Sequence, residues 1–486
     1  MLKRYIGDKA FYRRVMGVVV PIIIQNGITN FVSLLDNIMV GQIGTLQMSG
    51  VSIVNQLLFV FNLCVFGAVS GAGIFTAQFH GSGDQDGVRY TFRFKFMIGL
   101  LLSVLGITVF ALAGEPLITL YLQGEGAAKD AALTLAYGSD YLRIMLLGLV
   151  PFAVTNAYAS TLRETGKTTI PMIAGVTAVL VNLTFNYILI FGKFGAPAMG
   201  IRGAAIATVL SRYVELAIVA GWTHLHPQKN PYIPGAYRSV RIPGTLMKGI
   251  VIKGLPLLVN EALWSLGTAT MNQCYSMRGL DVVAALNISN VLWHLASVVF
   301  LSMGNAVGII VGQMLGAGKP EQEVREADNR LILLSVVSCF LFGGLMVAVS
   351  GVFPQIYNTT DSVRVIATQL ICVAAIFMPF DAYCNAAYFT LRSGGQTFVT
   401  FLFDSCFMWV CCVPVAFILS RFTAVAIIPL YFLCTATNLI KCVVGYFMIK
   451  KGTWIQNLAK NYIKKRRRYA VSFLDNIYKM GGVQNG

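Results

Sequence analysis

Twelve apolar stretches, each about 20 residues long, run through the 486-residue chain and set the first limit on its fold. They centre near residues 28, 65, 105, 149, 181, 212, 264, 299, 342, 378, 408 and 437. A helix rising ~1.5 Å per residue needs about 20 residues to cross ~30 Å of hydrocarbon. Inside hydrocarbon no water bonds the backbone, so each spanning segment must satisfy its own amides and carbonyls, as a helix does. Hydrophobic residues make up 56% of the chain and charged residues 12%, which a soluble domain does not approach. The expected fold class is all-α integral membrane, with twelve transmembrane helices. The basic start MLKRYIGDKAFYRRV runs into an apolar stretch without a small-residue cleavage site, so it reads as a retained first helix and not a signal peptide.

A net charge of +17 raises the question of nucleic acid, and the placement of the charge answers it. Sorted onto twelve spans, most of the 37 Lys and Arg fall on one side, a few on the other, and only Arg212 inside a helix. That is the positive-inside pattern of a multi-pass protein of the cell (plasma) membrane with both termini in the cytoplasm; no nucleic-acid partner is expected. The tail KNYIKKRRRYA fits an anchor to anionic membrane lipid, at about 1 kcal/mol per basic residue. The ten cysteines lie almost wholly in apolar runs, without the spacing or histidine partners that zinc requires. They read as small core residues, and no cofactor is expected.

The chain repeats itself. An offset of 235 residues places Pro21 on Pro256, Asn37 on Asn272, Gly44 on Gly279, Asn55 on Asn290, Gln78 on Gln313, Gly81 on Gly316 and Gly83 on Gly318. An offset of 229 pairs NAYASTLRETGKT (156–168) with NAAYFTLRSGGQT (385–397). Six spans per repeat is an even number, so both halves enter the membrane in the same direction and are related by a pseudo-twofold along the membrane normal. The expected layout is an N-lobe (1–222, helices 1–6), a Pro- and basic-rich cytoplasmic linker (223–249), a C-lobe (250–450, helices 7–12) and a basic tail (451–486). Small residues four apart, Gly304, Gly308, Gly312 and Gly316 with Gly73, Ala77 and Gly81, mark close helix packing.

Polar residues fall on single faces of the spans. The first helix carries Asn26, Thr29, Asn30, Ser33, Asp36 and Asn37 within an arc of about 120°. The seventh carries Glu261, Ser265, Thr268 and Asn272, and the tenth Asp381, Asn385, Tyr388 and Arg392. Asn182 and Asn186 lie on the fifth, and Asn290 and His294 on the eighth. Stripes on this many helices line a water-filled pathway between two lobes. Asp36, Glu261, Asp381 and Asp404 lie inside spans with no basic residue one turn away. Such carboxylates exchange protons or take a cation in place of the missing partner. Asp36, Glu261 and Asp381 are the expected ion- or proton-coupling residues; Asn26, Thr29, Asn30, Ser33, Asn37, Asn182, Asn186, Ser265, Asn272, Asn290, His294, Asn385 and Asp404 are expected to line the cavity. Arg212 and Glu215 read as an internal pair. Pro21 and Pro256, interior to helices 1 and 7, are candidate hinges. GSGDQDG (81–87) and HLHP (224–227) read as turns, since neither has the further ligands that a calcium, phosphate or metal site needs.

LLDNIMVGQIG, AQFHGSGD with its repeat GQMLGAGK, LRETGKT with its repeat LRSGGQT, and VNLTFNYILIFGKFGAPAMGIRGAAIAT together resemble the multidrug and toxic compound extrusion (MATE) transporters, over about residues 10 to 450. The texture is similar to the DinF-like branch, with NorM-like features. The resemblance implies that Asp36 is the N-lobe acid with Asn182 beside it, a possible Na⁺ site, and that helix 1 bends at Pro21. Asn186 stands where some members have aspartate. Asp381 fits the NorM-type acid of helix 10, while Glu261 comes earlier in its helix than the usual NorM acid.

The expected function is a secondary antiporter exporting amphipathic, cationic organic compounds in exchange for H⁺ or Na⁺, by alternating access. The alternative is a lipid-linked precursor flippase of the same superfamily; a membrane enzyme is not expected. One chain holds both lobes, so a monomer suffices. In the repeat, Asp36 falls on Met271: the acid is an addition to one lobe, not a requirement of the scaffold.

Overall fold

The computed structural model describes residues 7–122, 128–460 and 462–464; the rest of the basic tail lies outside the described residues. Among the described residues twelve helices are long and apolar enough to cross a membrane: α1 (Lys9–Gly41), α2 (Thr45–Ser82), α3 (Gln85–Leu122), α4 (Lys129–Glu164), α5 (Thr169–Phe191) and α6 (Ile201–Leu225) form one lobe. The other lobe holds α7 (Gly244–Ser276), α8 (Leu280–Gly316), α9 (Glu321–Val349), α10 (Asp361–Ser393), α11 (Thr397–Phe422) and α12 (Ile427–Lys451). Every expected span centre falls inside its own helix, and no strand occurs among the described residues. The protein is a multi-pass membrane protein of two six-helix lobes.

Apolar surface divides the helices into layers. Only 11% of the most apolar window of α3 is buried within the protein, against 78% for α8. Leu101, Leu105 and Leu112 of α3 and Phe340 and Leu341 of α9 are exposed, which places these helices on the lipid side. The inner helices meet their neighbours through small residues, since close approach replaces the hydrophobic drive that lipid removes.

The lobe interface obeys the twofold that the repeat predicts. A Cβ on Gly81 would overlap the carbonyl of Gln313, and a Cβ on Gly316 would overlap the carbonyl of Gln78. Gln78 donates through Nε2 to the Ser393 carbonyl at 2.9 Å, and Gln313 through Nε2 to the Glu164 carbonyl at 2.8 Å. The two sets correspond at offsets of 235 and 229, so the contact is isologous. α7 meets α2 where Gly71 faces Gly254, and α1 meets α8 in a core of Val15, Val18, Val19, Ile22, Met303 and Ala306. The repeat-matched glycines after α2 and α8 have a backbone reason: Gly83 and Gly318 turn the chain at φ 77° and 68°, where a side chain would be strained.

The same end of the molecule carries two docked segments. The 223–249 connection packs on the N-lobe: Arg89 Nε bonds the Tyr232 carbonyl at 3.0 Å, Arg93 Nη2 the Gly235 carbonyl at 2.8 Å, and Tyr232 packs on Phe92. After α12 the chain folds back as a strap. Trp454 is fully buried, Asn457 Nδ2 bonds the Gly316 carbonyl at 3.2 Å, and the Leu458 amide donates to Gln78 Oε1 at 2.7 Å.

Pro21 and Pro256 both lie well inside their helices, beyond the first turn. α11 leaves regular α geometry in π-turns at Leu402–Cys406 and Met408–Cys412. Such turns leave an amide without its regular partner; here the Ser405 amide donates to Asn260 Oδ1 at 3.2 Å.

Candidate functional site

The N-lobe acid sits in a polar cluster between α1, α5 and α6. Asn186 Nδ2 donates to Asp36 Oδ1 at 2.7 Å. In the amide orientation that satisfies its neighbours, Asn182 donates to Asp36 Oδ2 at 2.8 Å, with Thr208 Oγ1 3.2 Å from the same amide. Asn182 and Asn186 are buried four residues apart, one helical turn, so α5 presents both amides to one carboxylate. No ion pair to Asp36 occurs among the described residues. Asn186 Oδ1 is buried without a partner, and Tyr141 is a close electrostatic neighbour. Thr208 and Tyr141 escaped the sequence reading because their helices contribute them singly, without a stripe. The Asn37 side chain lies outside the described residues.

The C-lobe acids are arranged differently. Asp404 reads as an unpaired acid in the sequence, but Lys441 Nζ of α12 donates to its Oδ1 at 2.5 Å, and Asn260 Nδ2 to its Oδ2 at 3.0 Å. The partner comes from another helix 37 residues on, which a search one turn away along the chain cannot find. Lys441 also faces Asp381, whose Oδ1 accepts from Asn438 Nδ2 at 2.8 Å. Glu261 has Arg392 and Asp404 as its charged neighbours. No hydrogen bond or ion pair joins Glu261 to Asp381 among the described residues; Asp404 is a charged neighbour of the first and Lys441 of the second.

Two other readings are corrected. Arg212 closes no ion pair with Glu215 among the described residues: its Nη1 bonds the Gly148 carbonyl at 3.1 Å and its guanidinium lies 5.0 Å from the Phe152 ring. The carbonyl is available because α4 is broken by a 3₁₀ turn at Leu146–Gly148. Nor is Arg212 the one cation inside a span. Lys95 is fully buried in α3, ion-paired with Glu164, and Lys441, largely buried in α12, is ion-paired with Asp404.

Thr29, Asn30 and Ser33 are exposed on α1, and Asn272 and His294 on α7 and α8. Ser265 and Asn290 are half-buried. Asn26 Nδ2 reaches Ser302 Oγ across the lobes at 3.4 Å. Asn385 Oδ1 is buried and unpartnered. Towards the linker end the interlobe space narrows to a cavity of about 100 Å³ lined from both lobes by Ser70 and Asn305, Gly73 and Gly308, and Arg163 and Arg392. Each is a repeat-related pair, so the cavity straddles the pseudo-twofold axis.

Two matches to one sequence profile decide the family: the MatE profile fits residues 21–188 and again 256–418. The chain belongs to the MatE family. The two matches begin 235 residues apart, on Pro21 and Pro256, as the internal repeat does. Among MatE relatives, "Probable multidrug resistance protein NorM" of Thermotoga maritima is 24% identical over 443 residues, spanning 89% of this chain and 91% of that one. "Multidrug resistance protein PmpM" of Pseudomonas aeruginosa is 25% identical over 428 residues, 86% of each chain. The MatE fold is shared with a solved structure described as the outward-facing conformation of a multidrug resistance MATE family transporter, at a TM-score of 0.82 and 18% identity over 93% of this chain and 98% of that one.

Proposed function

We propose that this MatE protein is a secondary antiporter of the plasma membrane, with linker and termini cytoplasmic, that exports amphipathic organic compounds, cationic ones foremost, in exchange for H⁺ or Na⁺. The single observation that carries the coupling is Asp36: an acid in one lobe only, clasped by two amides of another helix and paired with no cation among the described residues. The relatives named as multidrug resistance proteins support the substrate class, and Glu261, which closes no ion pair among the described residues, suits a cationic solute.

The geometry gives the coupling a magnitude. A hydrogen bond to a charged group contributes about 1.5–3 kcal/mol, so the two amide bonds to ionised Asp36 hold α1 against α5 by ~3–6 kcal/mol. A proton, or a Na⁺ held by the Asp36 and Asn182 oxygens, removes the charge that these amides recognise. Driving a two-state equilibrium from 1:99 to 99:1 takes about 5.5 kcal/mol, so loss of the clasp is of the right size to let α1 rearrange, with Pro21 as its bend. A monomer contains every part of this cycle.

The test is substrate uptake in proteoliposomes with pH and sodium gradients imposed separately. Asp36→Asn is expected to abolish gradient dependence; uptake by that variant with the parent's dependence on the gradient would overturn the coupling role. The flippase alternative gains from Arg163 and Arg392, since an anionic head group asks for cations.

A further inference from the structure

Arg163 and Arg392 are the feature that an exporter of cations leaves unexplained. They are the same residue of the two repeats, at the ends of α4 and α10, and they reach one small cavity from opposite lobes. Neither closes an ion pair among the described residues. Arg392 stacks on Phe389 at 5.2 Å and has Glu261 in its surroundings; Arg163 has Glu164 and Glu215 as electrostatic neighbours. Glu164, the acid in the cavity wall, is engaged by the fully buried Lys95, whose Nζ also bonds Thr161 Oγ1 at 3.2 Å. Glu215 has Arg163 first and Arg212 second as its charged neighbours, and closes an ion pair with neither among the described residues. Two arginines, one from each lobe, therefore line one space of about 100 Å³ with no ion pair to either among the described residues. Guanidinium is a planar fork of fixed donors that matches the two oxygens of a carboxylate or phosphate, and it keeps its charge when desolvated.

We propose that this axial cavity binds the oxyanion group, carboxylate or phosphate, of a transported amphiphile, with Arg163 and Arg392 closing on it from the two lobes. The proposal rests on the export function above and sharpens its substrate class: zwitterions are carried with the amine toward the acidic wall and the oxyanion on the axis. Because each arginine belongs to a different lobe, the bound anion bridges them where they touch, and their separation releases it.

The probes are a cationic xanthylium dye with a free carboxylate and its methyl ester, which differ only in the anion. Fluorescence polarisation on the purified full chain gives both dissociation constants. The parent is expected to favour the acid over the ester, and the Arg163→Gln/Arg392→Gln double variant to reduce that preference by roughly tenfold or more, the scale of charge-assisted bonds to an oxyanion. The Arg163→Lys/Arg392→Lys double variant, which keeps both charges, is expected to retain part of the preference and to show that a loss in the glutamine variant is not misfolding. Inorganic phosphate at fixed ionic strength should compete with the acid and not with the ester. Equal affinity of the parent for acid and ester, an equal loss for both probes in the glutamine variant, or phosphate binding that leaves acid binding unchanged would overturn the proposal. Failure of the export function reads differently: neither dye would then move against an ion gradient in proteoliposomes.

Discussion

Replacing Gln78 and Gln313 together by leucine is expected to open the linker end of the lobe interface. Gln78 is fully buried; its Nε2 donates to the Ser393 carbonyl at 2.9 Å and the Gln456 carbonyl at 3.1 Å, and its Oε1 accepts from the Leu458 amide at 2.7 Å. Gln313 donates to the Glu164 carbonyl at 2.8 Å and accepts from Arg14 Nη2 at 2.9 Å. All five bonds cross from the N-lobe to the C-lobe or its strap. At about 0.5–1.5 kcal/mol net per bond they hold the interface by ~2.5–7.5 kcal/mol, a range that spans the ~5.5 kcal/mol between a 99:1 and a 1:99 equilibrium. The assay is a spin-label distance between the repeat-equivalent exposed positions Ser82 and Ala317, in a cysteine-free background. The parent should give one short distance; the double variant should add a longer one as a major population. Gln313→Leu alone, which removes two bonds or ~1–3 kcal/mol, should shift the ratio by roughly five- to 150-fold. An unchanged distance distribution in the double variant would refute the idea that these side chains hold the end shut.

Three further outcomes follow from the geometry. Gly316→Ala sets a methyl against the Gln78 carbonyl and should lengthen the same Ser82–Ala317 distance although every hydrogen-bonding side chain is kept; a parent-like distance would show that the interface yields elsewhere. Lys441→Met leaves Asp404 without its cation, and breaking a buried pair costs about 3–5 kcal/mol. With side chains 13% and 19% exposed the lower figure applies; thermal unfolding should show the drop, and adding Asp404→Leu should recover most of it. In the docked connection, partial burial raises the Tyr237 hydroxyl above its ordinary value, against the opposing hydrogen bond with Tyr158. A group raised on folding contributes stability that is complete below ~10, the free tyrosine value, and is lost as pH rises through the higher folded value. The tyrosinate absorbance titration of the parent minus that of Tyr237→Phe should therefore have its midpoint above ~10; a midpoint at or below it would remove Tyr237 from the packed surface.

Much of the candidate site is local enough to be read along the chain. The one-turn spacing of Asn182 and Asn186 survives into the structure because a helix fixes it, and both amides reach Asp36. The C-lobe network is not local: the cation for Asp404 arrives from α12, and the donor to the displaced Ser405 amide is Asn260 of α7. A basic residue in an apolar run, such as Lys441 in TNLIKCVVGYF, was the available signal. Arg163 of LRETGKT stands out in the sequence only as a repeat marker and Arg392 of LRSGGQT only as the end of one polar stripe, because nothing along the chain places one opposite the other.

The sequence by itself determined the solvent, the number of spans, the duplication and the asymmetry of Asp36 against Met271. Each follows from composition and periodicity, which act over one helix or between equivalent positions. Only the tertiary structure decided which charges meet. Partners for Asp404, Arg212, Lys95 and Gln78 are set by distances between helices, and in a medium without water a buried polar group takes whatever partner the packing brings within reach.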